Sequence, residues 1–149
     1  MRKITATIFA TALLLGQASA SDELDVTRTI RQFIDSFNKG DAKSALDVCA
    51  TQTAIIDEFP PYVWQGATGC ADWLKDFDAF ANKNAITEPK LILGRTRVDV
   101  AEGRAYTVTT ARFFFRQNGK RQSEQGVFVT ALQNAANGWR ITGWAWTKQ

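Results

Sequence analysis

One stretch of the chain decides the fold: residues 30–59, which read IRQFIDSFNKGDAKSALDVCATQTAIIDEF. In its first part, Ile30, Phe33 and Phe37 recur at spacings of three and four. This spacing places the three side chains on one face of an α-helix. Gly40 ends the predicted helix, because glycine adopts the left-handed capping conformation at little cost.

The same stretch continues with a short helix and a strand. Asp41 is a candidate cap for the second helix, whose inner face includes Ala45 and Cys49. The apolar, β-branched run over residues 53–59 predicts a strand. The pair Pro60-Pro61 ends it, because proline has no N–H to donate to a neighbouring strand.

The remainder of the chain predicts one more helix followed by four strands. Thr68 is a candidate cap for the third helix, which carries apolar residues at helical spacing. The strands are predicted over residues 90–100, 105–116, 121–132 and 139–147. Because most strands follow the helices, we expect an α+β fold. A curved antiparallel sheet would wrap over three helices and leave a pocket between them.

The first twenty residues have the pattern of a secretory signal peptide. Arg2 and Lys3 precede an uncharged apolar run at residues 4–15, and Ala18-Ser19-Ala20 forms a cleavage site. The run is too short for a bilayer, which needs about 20 apolar residues. We therefore predict a signal peptide over residues 1–20 and a periplasmic or secreted protein.

Composition narrows the chemistry of the predicted single domain, residues 21–149. The 149-residue chain is 45% hydrophobic and 22% charged, which is typical of a folded soluble protein. It contains no histidine, which excludes Ser-His-Asp and Cys-His catalysis and histidine-ligated zinc or haem. We expect no metal and no cofactor. After cleavage the net charge is +1, so neither nucleic-acid binding nor membrane association is expected.

Two cysteines, Cys49 and Cys70, follow the predicted cleavage site. An oxidising compartment favours a disulfide between them, closing a separation of 21 residues. The alternative is two buried thiols that act as small apolar residues.

Three segments in order resemble the nuclear transport factor 2-like superfamily, which includes the SnoaL-like polyketide cyclases and the ketosteroid isomerases. They are residues 30–59, WQGATGCADWLKDF at 64–77 and NGWRITGWAWTK at 137–148. The resemblance implies a cone-shaped fold with an apolar pocket at its open end, and it makes a homodimer through the outer sheet face an expectation. Such families contain isomerases, dehydratases, cyclases, ligand carriers and interaction modules, so the resemblance does not decide the function.

Asp57 is the candidate catalytic residue. It follows an Ile-Ile pair in the predicted strand, and desolvation of a carboxylate raises its pKa, which suits proton abstraction beside a carbonyl. The resemblance places the general base of the ketosteroid isomerases at Asp57. The resemblance also places Phe33 at the position of their oxyanion-donor tyrosine, and Val127 or Phe128 near the position of their second acid. None of these side chains can donate a hydrogen bond, so a general base at Asp57 would lack groups that stabilise the oxyanion. The alternative is a hydrated Asp57 at the sheet edge.

Five residues are candidate ligand contacts in the pocket: Tyr62, Trp64, Tyr106, Arg112 and Phe114. The last three share one face of a strand, because strand side chains alternate. An arginine among apolar neighbours suits a carboxylate or phosphate of a ligand. The alternatives for Arg112 are an inward ion pair with Asp57 or Glu124, or exposure on the outer face.

The tryptophans of the last strand raise the question of oligomeric state. Trp139 shares one strand face with Ile141, and Trp144 shares the other with Trp146, unless Gly143 marks a bulge. Without a bulge, one pair lies on the outer face and forms an apolar patch. This patch predicts a homodimer.

Two classes of function follow from these features. The first is a periplasmic or secreted protein that binds a small apolar or amphipathic molecule, or a partner, without catalysis. The second is a small isomerase, dehydratase or cyclase in which Asp57 is the general base. The missing oxyanion donors favour the first class, although the sequence leaves both open.

Overall fold

The computed structural model describes residues 12–149, with side chains from residue 20 onward. It has three helices and six strands. The helices are α1 (Ala12–Lys39), α2 (Ala42–Leu46) and α3 (Gly69–Lys83), and the strands are β1 (Cys49–Ile56), β2 (Val63–Gly66), β3 (Ile86–Ala101), β4 (Arg104–Gln117), β5 (Lys120–Ala135) and β6 (Gly138–Lys148). The predicted α+β class, a curved sheet over three helices, is confirmed.

The first half of the predicted signal peptide, including Arg2 and Lys3, lies outside the described residues. The signal peptide therefore stays a prediction. No helix in the described part of the chain has a stretch that is both apolar and long enough to cross a membrane.

The six strands form one sheet in the order β2-β1-β6-β5-β4-β3. Neighbouring strands are antiparallel except for β1 and β6, which run parallel. Two register shifts in β3, between Thr87 and Lys90 and between Leu93 and Thr96, bend the long outer strands. Strand β2 was not predicted, because its four residues are too few to show a period.

Helix α1 packs on the inner face of the sheet through the predicted apolar side. Ile30 is 2% exposed and Phe33 is 1% exposed. They share one core with Leu132 of β5 and Ile141 of β6. Burying a side chain of this size contributes about 1.5–3 kcal/mol, so this contact holds helix and sheet together.

Asn38 fixes the end of α1 to strand β3. Its Nδ2 donates to the Leu91 carbonyl at 2.9 Å, and its Oδ1 accepts from the Leu91 amide at 2.7 Å. A neighbouring strand would make the same two bonds, so the side chain satisfies the Leu91 backbone groups. Gly40 then ends the helix with a φ of 69°, as predicted.

A bulge in β6 resets the alternation of its side chains. Leu132 pairs with Ile141 and Ala131 pairs with Gly143, so Thr142 is the extra residue. A Cβ on Gly143 would lie 2.5 Å from the Ala54 carbonyl oxygen, so the close approach of β1 requires glycine here.

Because of this shift, all three tryptophans of β6 lie on the inner side of the sheet. Trp139 is 4% exposed and Trp144 is 5% exposed, while Trp146 packs partly buried against the same core. Of the two alternatives for this strand, the one with a bulge next to Gly143 is observed. The outer tryptophan patch that motivated a homodimer does not form, and the homodimer stays a prediction.

Cys49 and Cys70 form the predicted disulfide. It joins the first residue of β1 to the first turn of α3. A bridge over a separation of 21 residues stabilises a fold by about 3 kcal/mol in the chain-entropy description. The bridge therefore ties α3 to the sheet.

Candidate functional site

A cavity of about 260 Å³ lies between the C-terminal half of α1, helix α3 and the sheet. Its lining is mainly aromatic, with a few aliphatic and a few polar side chains. The lining residues are Phe33, Ile34, Phe37, Asp57, Glu58, Phe59, Trp73, Phe77, Phe80, Ile86, Leu91, Phe113, Phe115, Gln117, Glu124, Phe128, Trp144 and Trp146. Concave apolar sites with a few polar groups are typical of small-molecule binding.

Asp57 lies in this cavity, immediately after the end of β1. Its Oδ2 accepts from Trp73 Nε1 at 2.9 Å, and its Oδ1 accepts from the Glu58 amide at 2.7 Å. Desolvation by burial raises the pKa of the Asp57 carboxyl to about 6, and the two hydrogen bonds offset only part of that effect. The side chain thus sits where the sequence analysis expected an inward carboxylate, and its catalytic role stays a prediction.

The partner of Asp57 differs from the one expected. An ion pair with Arg112 was one alternative from the sequence, and Trp73 of α3 is the observed donor. Helical spacing places Trp73 and Phe77 on one face of α3, but an apolar helix face has the same spacing whether it lines a cavity or packs in the core.

Two further carboxylates, Glu58 and Glu124, line the mouth of the cavity. Both add to the raised pKa of Asp57 by charge repulsion. Lys148 binds both: its Nζ lies 3.0 Å from Glu124 Oε1, and its backbone amide donates to Glu58 Oε1 at 2.5 Å. The hydrogen bond to Glu124 raises the pKa of the Lys148 ammonium, so Lys148 stays charged.

Aromatic rings in mutual contact build the walls. The Trp73 ring stacks on Phe77 at 5.5 Å between centroids and stands perpendicular to Trp144 at 4.6 Å. Phe59 stacks on Phe80 at 4.9 Å. These offset and edge-to-face contacts hold the rings in fixed positions, so the cavity has defined walls.

The Trp144 indole N–H is buried and has no hydrogen-bond acceptor among the described residues. Its ring stands at 88° to the Trp73 ring. The Trp144 N–H is thus a buried donor in the cavity lining that no described side chain satisfies.

The five predicted ligand contacts do not line the cavity. Tyr62 is 54% exposed, beyond the end of β1. Trp64 is buried in β2 behind the lining residue Phe59, 4.8 Å away between ring centroids, and its Nε1 donates to Asp76 of α3 at 2.9 Å.

The remaining three, Tyr106, Arg112 and Phe114, lie on the outer face of β4. Arg112 donates to Gln125 there, at 3.3 Å. The grouping on one strand face was right and the choice of face was wrong. The buried residues of β4 are small or polar, such as Ala111 and Thr109, whereas the larger side chains of the strand face outward. The size of the side chains therefore led to the wrong choice of inner face.

Within residues 12–149, no group of three or more His, Cys, Asp or Glu side chains could hold a metal ion. What the site offers chemically is an apolar, aromatic volume and one partly buried carboxyl whose pKa is raised by burial to about 6.

No known family model matches the sequence, and no curated protein matches it either. Solved structures do match the fold. A nuclear transport factor 2-like superfamily protein from Salmonella enterica has a TM-score of 0.74 at 18% identity, covering 87% of this chain and 92% of its own. A nuclear transport factor 2-like protein with a cystatin-like fold from Novosphingobium aromaticivorans has a TM-score of 0.74 at 14% identity, covering 95% and 90%.

A third structure, a candidate dehydratase from the nuclear transport factor 2-like family of Streptomyces avermitilis, has a TM-score of 0.71 at 15% identity. The match covers 87% of this chain and 98% of that one. At these identities the likeness concerns the fold. The chain has the fold of the nuclear transport factor 2-like superfamily, as its sequence motifs indicated.

Proposed function

We propose that this chain is an extracytoplasmic protein that binds a small, mostly apolar molecule in its aromatic cavity, with Asp57 as the polar contact. One observation carries the proposal: the cavity of about 260 Å³ combines an aromatic lining with a partly buried carboxyl. The volume is slightly below the roughly 300–1,000 Å³ of sites for drug-sized ligands, so the ligand has one or two rings.

The loss of stability caused by the buried Asp57 carboxylate supports a binding role. A carboxylate held where its pKa rises to about 6 destabilises the fold at neutral pH, and an apolar residue would avoid this. Strongly shifted carboxyls in clefts are typical of functional sites. A ligand that donates a hydrogen bond or carries a positive charge would relieve the cost.

The test of the binding function uses prodan, a neutral dye whose emission shifts to the blue in apolar sites. We expect prodan to bind the protein, and Ile86→Trp to block it, because Ile86 lines the cavity. Ile92→Trp is the matched control, since Ile92 lies on the same strand and is 47% exposed outside the cavity. Absence of a shift with the parent protein, or an equal shift with Ile86→Trp, would contradict a binding cavity. Native mass spectrometry of the purified protein would in addition detect a retained ligand.

A second candidate is a small isomerase, dehydratase or cyclase with Asp57 as general base. The pKa of about 6 favours it, because a base works best when its pKa lies near the operating pH. Phe33 and Phe128 give the cavity hydrocarbon walls where the isomerase resemblance would require oxyanion donors. Binding is therefore the better-supported function. Loss of turnover in Asp57→Asn on any ketone or hydroxy-ketone substrate would favour the enzyme.

The extracytoplasmic location rests on the signal-peptide pattern at residues 1–20 and on the Cys49–Cys70 disulfide. We expect the mature protein to begin at Ser21. Mass determination of the protein from the periplasm or medium tests this, and a full-length chain retained in the cytoplasm would contradict it.

We also propose a homodimer through the outer sheet face, with aliphatic residues in place of the tryptophans. Val108, Val129, Ala145 and Ile56 follow one another across β4, β5, β6 and β1. Ile56 is 55% exposed, and a continuous apolar row suits pairing with a second copy about a two-fold axis. Light scattering should give the dimer mass, and Ile56→Asp should give the monomer mass. A monomer at micromolar concentration in the parent protein would contradict the dimer.

A further inference from the structure

We propose that the molecule held in the cavity is an organic cation, an amine or quaternary ammonium carried on an aromatic or short alkyl body. This inference rests on the binding function proposed above and adds the charge of the ligand to it.

The charged side chains of the lining are all acidic. Asp57, Glu58 and Glu124 line the cavity, and no lysine or arginine does so among the described residues. Lys148 is held outside the lining by its ion pair with Glu124, and its side chain is 52% exposed. Lys120 lies at the exposed tip of the β4–β5 hairpin, opposite Gln117. The mouth of the cavity therefore carries a negative charge.

The aromatic lining points to the same ligand charge. Eleven of the 18 lining residues are Phe or Trp. The face of an aromatic ring carries partial negative charge and attracts cations, and Trp attracts them most strongly. Trp73, Trp144 and Trp146 are all in the lining. An anion would meet both the ring faces and the carboxylates, so the cavity disfavours it.

Asp57 supplies the position of the cationic group. Its two hydrogen-bond donors, Trp73 Nε1 and the Glu58 amide, hold the carboxyl in a fixed orientation. The charged groups that act on it are Glu58 and Glu124, and the ammonium of Lys148 is paired with Glu124 at 3.0 Å. A ligand cation beside Asp57 would stabilise the ionised carboxylate that burial disfavours. Binding near pH 6 should therefore release a proton.

Three probes of nearly equal shape distinguish the effect of ligand charge on affinity from the effect of apolar contact. They are benzyltrimethylammonium, its neutral isostere neopentylbenzene, and the anion phenylmethanesulfonate. Each is titrated into the folded protein at pH 7.5 and low salt, and quenching of tryptophan emission reports binding. We expect the cation to bind at least about tenfold more tightly than the neutral probe, and the anion to bind most weakly.

Substitutions assign the preference to the carboxylates. We expect Asp57→Asn and Glu124→Gln each to weaken the cation about five- to tenfold while changing the neutral probe less than about twofold. Asp99→Asn is the matched control, because this carboxylate is 63% exposed on the outer side of the sheet. It should leave all three affinities unchanged.

The outcomes separate the two proposals. The proposal of a cationic ligand is wrong if the neutral probe binds as tightly as the cation, or if Asp57→Asn and Asp99→Asn have the same effect. The proposal of an apolar binding cavity would survive either result. If none of the three probes binds and prodan fails as well, the binding function fails together with the inference.

Discussion

The interface between α1 and the sheet has two halves built from different side chains. The closed half contains small and branched residues, such as Val26, Ile30 and Ile141, at 0–2% exposure. Outside the cavity lining, two fully buried threonines of the sheet pair with each other: the Thr107 and Thr130 hydroxyls lie 2.6 Å apart. The open half begins at Phe33 and contains the rings around the cavity of about 260 Å³.

The difference follows from the shapes of the side chains. Branched aliphatic groups interlock and reach the packing density of a crystal. Aromatic rings are rigid plates that meet at offset or perpendicular angles, as Phe37 does with Phe77 at 66° and Phe77 with Phe113 at 73°. In the open half these rings border a cavity that the side chains leave unfilled. The same helix and sheet therefore supply stability at one end and a binding volume at the other.

The largest expected effect compares the two halves directly. Ile30→Ala in the closed half should destabilise the protein by about 2–5 kcal/mol, because it leaves a void among fixed neighbours. Phe115→Ala in the open half should cost only about 1–2 kcal/mol, since Phe115 is half-buried and borders existing space. Urea unfolding measures both. Equal losses would show that the open half is packed like the core.

The disulfide gives the next effect and concerns the wall of the open half. Replacing Cys49 and Cys70 together with Ser should lower the free energy of unfolding by about 3 kcal/mol. Because the bridge ties α3 to β1, we expect hydrogen exchange to rise in α3 before it rises in β4 and β5. Uniform exchange across the chain would argue against a local role of the bridge.

Asp57→Asn should stabilise the protein at pH 7, by on the order of 1–2 kcal/mol. A pKa raised from 3.8 to about 6 corresponds to about 3 kcal/mol at neutral pH, and the amide loses one acceptor oxygen, at about 1 kcal/mol. Between pH 4 and 6 the folded protein binds more protons at this site than the unfolded chain. Its stability therefore falls as pH rises through that window.

The pH dependence supplies the control for this prediction. The stability difference between Asp57→Asn and the parent should grow in favour of the variant from pH 4 to pH 7. Asp99→Asn, which removes an exposed carboxylate, should show no such trend. Thermal unfolding at several pH values measures the difference, and a flat profile for Asp57→Asn would contradict a raised pKa.

A further effect of similar size tests the pair of buried threonines, Thr107 and Thr130. Thr130→Val leaves the buried Thr107 hydroxyl without its partner and should cost about 1–2 kcal/mol. Replacing both threonines with Val removes both polar groups and should recover most of that loss. A double variant that is less stable than the single one would show that the hydroxyls do more than satisfy each other.

The apolar patterns predicted the elements well where the period was clear. Ile30 and Phe33 lie on the buried face of α1 as expected, and the long strands differ from prediction by a few residues at their ends. The position of Asp57 in the cavity also agreed with the expectation. A charge among apolar strand residues must find a site or water, so its pattern carries information.

For strands β4 and β6, the apolar pattern did not predict which side chains face the inner side of the sheet. On β4 the inner residues are small and polar, such as Thr107 and Thr109, while Tyr106 and Phe114 face outward. On β6 a single extra residue, Thr142, turned Trp144 inward. A one-residue shift reverses every side chain of a strand, and hydrophobicity alone does not mark where it occurs.

The sequence by itself determined the α+β class and the buried face of α1, and it favoured a Cys49–Cys70 disulfide and a carboxylate at Asp57 that faces the pocket. Each of these depends on local period or on residue chemistry. Only the tertiary structure decided which side chains surround that carboxylate. Trp73 of α3 and Glu124 of β5 reach Asp57 from distant parts of the chain. Such contacts arise when the curved sheet closes over the helices, and no spacing within one segment encodes them.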